Sequence, residues 1–329
     1  PPPPPPPPPP FFFLMIRRPP RSRQGVSSAA SDVYKRQAIW GLYWIPVRAL
    51  HDAGIQGLWA TAVFYLVPFI LMLPIGLLRW RRIIAAGWMM QGIAIIGGLC
   101  LVLYSTAFLY TDVIHATLLY YLTPIWSALL ARAWLKEPIT RDRTLAIILG
   151  TAGLLIILNL DQGLPLPRNP GDWMALVSGL IWALFANVMR RNESSYNTVD
   201  VLFSWFFWGT IIAVALGLLQ ILDRPDPPSA EQIITVLPWL IPVVIFLIIP
   251  GFYAITWGVP LLNPGTVGVL FMTEISVGAI SAALLTSEPF GVREILGVIL
   301  ITAAGLTEVV IPTLGTLFSS PSTRGDRTN

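Results

Sequence analysis

Glu274 is the residue in this sequence whose position most strongly suggests chemistry. It lies near the middle of an apolar stretch, Thr266–Thr286, that is long enough to cross a lipid bilayer. A charged side chain at that depth is costly, so an intramembrane carboxylate is a candidate functional group by default. It could exchange a proton or hold a cationic group of a solute. The alternative is a protonated carboxyl that only hydrogen-bonds a neighbouring helix.

Aromatic and hydroxyl residues form a second group of candidates. Tyr120, Thr123 and Ser127 are spaced so that they share one face of a helix, and Pro124 interrupts the hydrogen bonding of that helix. Such side chains can line a cavity that has apolar walls and a few polar groups. For each one, packing or a place in the interfacial aromatic belt is the alternative. The predicted binding residues are Glu274, Thr123, Pro124, Tyr120, Ser127, Tyr253, Trp257, Trp40 and Trp182.

Catalytic and metal-binding patterns are missing from the sequence. It contains two histidines, His51 and His115, and one cysteine, Cys100, which lies inside an apolar run. We find no H-E-x-x-H, Gly-x-Ser-x-Gly or phosphate-loop motif. The sequence therefore predicts no cofactor, no metal and no enzymatic activity. A membrane-embedded enzyme and a structural or sensory membrane protein remain the alternatives to a transporter.

The elements that must position these residues are membrane helices. Hydrophobic residues make up 55% of the chain and charged residues 12%, whereas soluble domains carry about 25% charged residues. The fold class predicted is all-α, polytopic, with about ten transmembrane helices. The predicted spans are Ala38–Arg48, Leu58–Leu78, Gly87–Tyr110, Val113–Leu135, Arg143–Leu160, Trp173–Arg190, Val201–Leu222, Leu237–Val259, Thr266–Thr286 and Ile295–Ile311.

Residues 1–37 are excluded from this interpretation. They open with ten prolines and resemble translated sequencing-adaptor sequence, so we expect an artefactual or disordered leader and a first helix shortened where the leader joins. Removing its six basic residues and one acidic residue leaves 15 basic and 16 acidic residues. The net charge of +4 therefore comes from the leader, and no continuous basic surface predicts nucleic-acid binding.

Arginine and lysine residues are distributed unevenly between the predicted loops. If the chain starts in the cytoplasm, eleven lie on that side and four on the other, which is the asymmetry that orients membrane proteins. Both termini are therefore expected in the cytoplasm, and residues 313–329 are expected to form a disordered cytoplasmic tail.

Two halves of the sequence share three landmarks in the same order. Leu122–Pro124, Glu137-Pro138 and Thr151–Gly153 recur as Met272–Glu274, Glu288-Pro289 and Ala303–Gly305, at offsets of 150 to 152 residues. Since each half has five helices, the second copy must enter the membrane upside down. The expected domains are 38–160 and 173–312, with a linker at 161–172, and a binding site between the two inverted five-helix halves.

These motifs, with Trp40-Gly41 and Arg48 in the first helix, resemble the EamA family of the drug/metabolite transporter superfamily. One departure is Ile275, where many relatives have proline. The resemblance implies a multi-pass protein of the bacterial inner membrane that moves a small metabolite, amino acid-like or another organic solute, outward by alternating access. The implied partners are that small-molecule substrate, a proton as a candidate co-substrate, and the lipid bilayer.

Overall fold

The computed structural model describes residues 40–134, 141–157, 167–191, 196–219, 225–258, 277–286 and 291–318, and all regular secondary structure in these ranges is helical. Five of the described helices are long and apolar enough to cross a membrane. They are Leu58–Ala85, Gly87–Tyr110, Pro170–Met189, Thr198–Leu219 and Ala230–Trp257. The prediction of an all-helical membrane fold is therefore confirmed at this level.

We number the helices in chain order. They are α1 (Trp44–Asp52), α2 (Leu58–Ala85), α3 (Gly87–Tyr110), α4 (Val113–Tyr120), α5 (Thr123–Trp134), α6 (Arg141–Ile157), α7 (Pro170–Arg191), α8 (Thr198–Leu219), α9 (Ala230–Val243), α10 (Ile249–Gly258), α11 (277–285) and α12 (Val292–Phe318). A π-helical turn, Val244–Ile248, joins α9 to α10. Because Pro242 and Pro250 flank this turn and lack the N–H that an α-helix needs, regular hydrogen bonding is interrupted there.

The predicted single span Val113–Leu135 is wrong in one respect, because the structure breaks it into α4 and α5 at Tyr121 and Leu122. Pro124 explains the break: it has no N–H to donate to the carbonyl of Tyr120, and proline is tolerated in the first turn of a new helix. The hydroxyl of Thr123 donates to that carbonyl instead, at 2.7 Å.

The remaining differences between the predicted and the observed helices concern only where a helix begins or ends. Helix α9 begins at Ala230, before the predicted Leu237, because the Ser229 side chain and Gln232 form a reciprocal capping box. Helix α7 begins at Pro170, inside the predicted linker, with the Asn169 side chain accepting from the backbone N–H of Asp172 at 2.7 Å. Helix α12 runs to Phe318, so the first residues of the predicted tail 313–329 are helical.

Helices α2 and α8 pack side by side in opposite directions. The aromatic ring of Tyr65 lies where a side chain on Gly209 would go, and that of Phe203 where one on Gly76 would go. Near the end of α2, Arg79 pairs with Asp200 in the first turn of α8. These two helices occupy the second position of each predicted half, so equivalent helices of the two halves contact one another.

Helices α6 and α12, the fifth of each predicted half, make the same kind of contact. A side chain on Gly150 would lie 3.7 Å from Cβ of Ala304, and one on Gly153 would lie 2.8 Å from the Ile301 side chain. Small residues allow helices to approach closely inside a membrane. Two of the repeat landmarks, Thr151–Gly153 and Ala303–Gly305, therefore lie at the crossing of their own helices.

Candidate functional site

Seven buried aromatic side chains form a closed loop in the centre of the bundle. We call them the aromatic cage. Each is in ring contact with the next, and the successive centroid distances are Trp40–Tyr43 4.7 Å, Tyr43–Tyr104 6.3 Å, Tyr104–Tyr120 4.1 Å, Tyr120–Trp182 6.4 Å, Trp182–Trp205 6.4 Å, Trp205–Phe252 5.3 Å and Phe252–Trp40 4.8 Å. None of the seven is more than 6% exposed.

Six segments of the chain supply the cage. Trp40 and Tyr43 lie just before α1, Tyr104 lies on α3, and Tyr120 ends α4. The other three members, Trp182, Trp205 and Phe252, come from α7, α8 and α10 respectively. Four members therefore belong to the first predicted half and three to the second. An aromatic cluster of this kind offers large apolar faces, and those faces also attract cations.

Three hydroxyl groups form the polar part of the site. The Tyr43 hydroxyl lies 2.9 Å from that of Tyr65 on α2 and 2.6 Å from that of Ser105 on α3. We call these three residues the hydroxyl cluster. All are buried, and Tyr43 belongs to both groups. One turn earlier on α2, Thr61 pairs with Thr106 at 3.1 Å, which adds a second buried hydroxyl pair to the same helix interface.

An open cleft of about 640 Å³ lies at one end of the bundle, which we call the cleft end. Its lining includes Arg48 and His51 of α1, Phe108 of α3 and Thr286. The guanidinium of Arg48 donates to the carbonyls of Phe108 and Thr111, and it lies over the ring of Trp44. Phe108 also contacts the cage, with its ring 4.6 Å from that of Tyr104, so the cleft reaches the cage through one aromatic layer.

At the opposite end, an ion pair joins the two predicted halves. Arg79 Nε and Nη2 donate to the two carboxylate oxygens of Asp200, at 2.5 and 3.0 Å. The Asp200 side chain is 7% exposed and that of Arg79 is 24% exposed. Asp200 also lies at the N-terminus of α8, where the helix dipole favours a negative charge.

Helix α7 approaches α4 closely beside the cage. A side chain on Gly179 would lie 2.5 Å from the Tyr120 carbonyl oxygen, so only glycine fits there without displacement. The Thr123 hydroxyl lies 3.3 Å from the Gly179 carbonyl and 2.7 Å from that of Tyr120. Thr123 thus satisfies the carbonyl that the helix break exposes, and Gly179 allows Trp182 to reach Tyr120.

The structure brings together three of the predicted binding residues. Trp40, Tyr120 and Trp182 are cage members, and Thr123 lies next to Tyr120. Tyr253 and Trp257 of α10 follow the buried Phe252 along the helix, but they are 40% and 38% exposed. Pro124 and Ser127 lie in α5, but their side chains, like all of Glu274, lie outside the described residues. Their roles stay predictions.

Sequence reasoning missed the hydroxyl cluster and four of the seven cage residues, of which Tyr43 belongs to both groups. Tyr104, Trp205 and Phe252 lie in uniformly apolar helices, in which no polar stripe marks the inner face. Tyr43 could have been found, since it is three residues from Trp40 and therefore near it on a helical turn. As for metals, no group of three or more His, Cys, Asp or Glu that could hold an ion occurs in the part of the chain that the structure describes.

Comparison with known proteins identifies the family. The model of the EamA-like transporter family matches twice, at residues 37–159 and 169–307. Twenty solved chains are similar in structure. One of them, a protein of known crystal structure, has 16% identity and a TM-score of 0.61, over 89% of this chain and 99% of that one. No curated protein matches in sequence. Because the two family matches cover most of the sequence and the described helices can span a membrane, this multi-pass membrane protein belongs to the EamA-like transporter family.

Proposed function

We propose that this protein is a secondary transporter that binds a small organic solute in the aromatic cage and moves it by alternating access. One observation carries the proposal: the cage closes only because residues from both halves meet in it. A site shared between two halves can be exposed to either side of the membrane when one half tilts against the other. The cage is closed in this structure, so a solute must separate at least one pair of its rings.

The proposed architecture has ten helices in two inverted halves, 38–160 and 173–312. The contacts of α2 with α8 and of α6 with α12 support it, because a two-fold axis in the membrane plane brings equivalent helices together. In both pairs the two helices run in opposite directions. The two matches of the family, at 37–159 and 169–307, follow the same division.

The two ends of the bundle differ as expected for one state of an alternating-access cycle, in which the site opens to one side of the membrane and is closed to the other. The cleft opens one end toward the cage, while the Arg79–Asp200 ion pair ties the two halves together at the other. The excess of basic residues at the ion-pair end favours a cytoplasmic location for that end and for both termini. We therefore place the cleft on the outer face of a bacterial inner membrane, and we propose export as the direction of transport.

Glu274 keeps its predicted role within this proposal. It would face the cavity between the halves near Thr123 and Pro124, within reach of Tyr253 or Trp257, and bind either a proton or a cationic group of the substrate. The alternative of a membrane-embedded enzyme has no specific support from the described site, which consists of aromatic rings and hydroxyl groups.

Uptake by purified protein in liposomes tests the proposal. A mixture of labelled metabolites is offered, and the solutes that enter are identified by mass spectrometry. Trp182→Phe keeps an aromatic ring in the cage and should retain most uptake, whereas Trp182→Leu should lose it. Trp88 is 84% exposed and lies near the start of α3, 16 residues before the cage residue Tyr104, so Trp88→Leu is the matched control.

The result that would contradict the proposal is unambiguous. A Trp182→Leu protein that is folded and carries every solute at the wild-type rate would show that the cage is only a packing core. Absence of uptake of any solute by the folded wild-type protein, in either orientation and with or without a proton gradient, would contradict transport itself.

A further inference from the structure

The hydroxyl cluster has a defined direction of hydrogen bonding. Ser105 Oγ donates to the backbone carbonyl of Leu101, at 2.7 Å. A serine hydroxyl has one proton and two lone pairs, so in its 2.6 Å contact with Tyr43 it is the acceptor. The Tyr43 proton is thereby used, and the 2.9 Å contact between Tyr43 and Tyr65 must be donated by Tyr65. The protons run from Tyr65 through Tyr43 and Ser105 to Leu101.

Tyr65 stands at the start of this chain and receives no proton from it. Its other hydroxyl neighbour is Ser105, at 3.3 Å, and the Ser105 hydroxyl donates its proton to the Leu101 carbonyl. The Tyr65 oxygen therefore offers lone pairs to a ligand, while every proton of the cluster is directed away from the ligand. A group that donates N–H or O–H fits this arrangement, whereas a carboxylate could bind only by drawing the Tyr65 proton away from its hydrogen bond to Tyr43.

The surroundings of Tyr65 favour a cation among the possible donors. Its ring packs edge-on against Phe64 at 5.5 Å and against Phe252 of the cage at 6.5 Å. Tyr43 is stacked on Trp40 at 4.7 Å. Aromatic faces attract a desolvated ammonium group through their quadrupoles, and a hydrogen bond from a charged donor is stronger than one from a neutral donor.

We propose that the substrate carries a primary or secondary ammonium group, and that Tyr65 Oη accepts a hydrogen bond from it against the aromatic cage. This inference rests on the proposed transport function and adds the chemical class of the substrate and a specificity-determining residue. No part of it requires Glu274, because the cluster and the cage together supply both the acceptor and the cation-attracting faces.

The position of the cluster also suits a binding group on the path between the cage and the cleft. Phe108 lines the cleft, and its ring lies 6.5 Å from that of Tyr43. Ser105 lies three residues before Phe108 on α3, nearly one helical turn deeper in the bundle. An amine that leaves past Phe108 toward the cleft thus meets the hydroxyl cluster after the cage members on α7 and α8.

The experiment compares three competitors that share a phenyl ring on a short alkyl chain in the liposome assay: phenethylamine, its N,N,N-trimethyl derivative and 3-phenylpropan-1-ol. The first is a cation that donates N–H, the second a cation without a donor, and the third a neutral donor. Phenethylamine should inhibit uptake at concentrations about tenfold or more below either of the others. Equal inhibition by all three would overturn the proposal.

Variants assign the effect to Tyr65. Tyr65→Phe removes the acceptor oxygen, so phenethylamine should lose about tenfold in affinity while the trimethyl derivative is unchanged. Tyr196 is partly buried and lies outside the cage and the cluster, so Tyr196→Phe is the matched control. If Tyr65→Phe retains the preference for phenethylamine, Tyr65 is not the acceptor.

Ser105 gives an independent test should Tyr65→Phe fail to fold. In Ser105→Ala, Tyr43 loses its acceptor, so its proton competes with the ammonium group for the Tyr65 oxygen. The same loss of affinity for phenethylamine is expected, although Ser105 itself does not contact the ammonium group. Ser105→Thr keeps the hydroxyl and should restore binding, and an unchanged preference in Ser105→Ala would contradict the proton order.

Failure of this inference differs from failure of the transport proposal. If the liposomes take up solutes that all lack an amine, the protein is a transporter and the ammonium assignment is wrong. If no solute is taken up, the transport proposal itself fails.

Discussion

The Arg79–Asp200 ion pair should hold the ion-pair end of the bundle closed. It joins α2 to α8 through two hydrogen bonds, and the Asp200 side chain is 7% exposed, so water can only partly replace the lost contact. Hydrogen bonds to charged groups contribute about 1.5–3 kcal/mol each, and screening of the partly exposed Arg79 reduces this. We expect Asp200→Asn to cost the closed state about 2 kcal/mol, which raises the population of the open state about 30-fold.

Ser204 is a suitable reporter of this opening. It lies one turn after Asp200 on α8 and is 1% exposed, and its hydroxyl group has no hydrogen-bond partner among the described residues, so Ser204→Cys changes little. Cys100 is buried and its thiol donates to the Ser178 carbonyl, so it should remain unlabelled. A membrane-impermeant maleimide applied from the ion-pair side should label Cys at position 204 about 30-fold faster in the Asp200→Asn background.

A double-mutant cycle separates the ion pair from the helix dipole. Arg79→Gln leaves Asp200 at the N-terminus of α8 and should also accelerate labelling, while the double variant should be little worse than either single variant. Equal labelling rates in all four proteins would refute the idea that this pair closes the bundle, and strictly additive effects would show that the two residues act separately.

Two further substitutions test described contacts, and a third tests the role that the sequence predicts for Glu274. Gly179→Ala places a methyl group 2.5 Å from the Tyr120 carbonyl and should lower the thermal unfolding temperature, whereas Gly92→Ala, with nothing within 4 Å, should not. Thr123→Val leaves that carbonyl without its hydroxyl donor and should destabilise by about 1 kcal/mol, with Thr123→Ser close to wild type in denaturation assays. Glu274→Gln should insert normally yet lose most flux or its pH dependence, and unchanged uptake between about pH 5 and 8 would leave this carboxyl a structural role.

The helices could be predicted because bilayer crossing demands about 20 apolar residues, a requirement that local composition reveals directly. The break between α4 and α5 was not predicted, although Pro124 was recognised. The sequence shows that proline removes one hydrogen bond, but not whether the helix bends or stops. Here the hydroxyl of Thr123 takes over the exposed carbonyl, and this local compensation allows a two-residue turn between the two helices.

The site was predicted only in part because membership of the cage depends on which helices meet. Trp40, Tyr120 and Trp182 were chosen as aromatic residues at central positions. Trp205 and Phe252 lie in helices that are apolar on every face, where hydrophobic periodicity carries no information about the inner side. The glycines that let α3 approach α8, Gly98 among them, determine that meeting and are visible as contacts only in three dimensions.

The crossing of α6 and α12 has a consequence for the history of the gene. Under the proposed inverted repeat, Thr151 and Ala303 occupy equivalent positions in the two halves and lie at the centre of this crossing. In an ancestor that encoded one half, a single codon would have supplied both sides of the contact between two antiparallel copies, so every mutation there acted twice. Fusion of two copies into one reading frame ended that constraint. The difference between threonine and alanine at these positions is the kind of divergence that such a fusion permits.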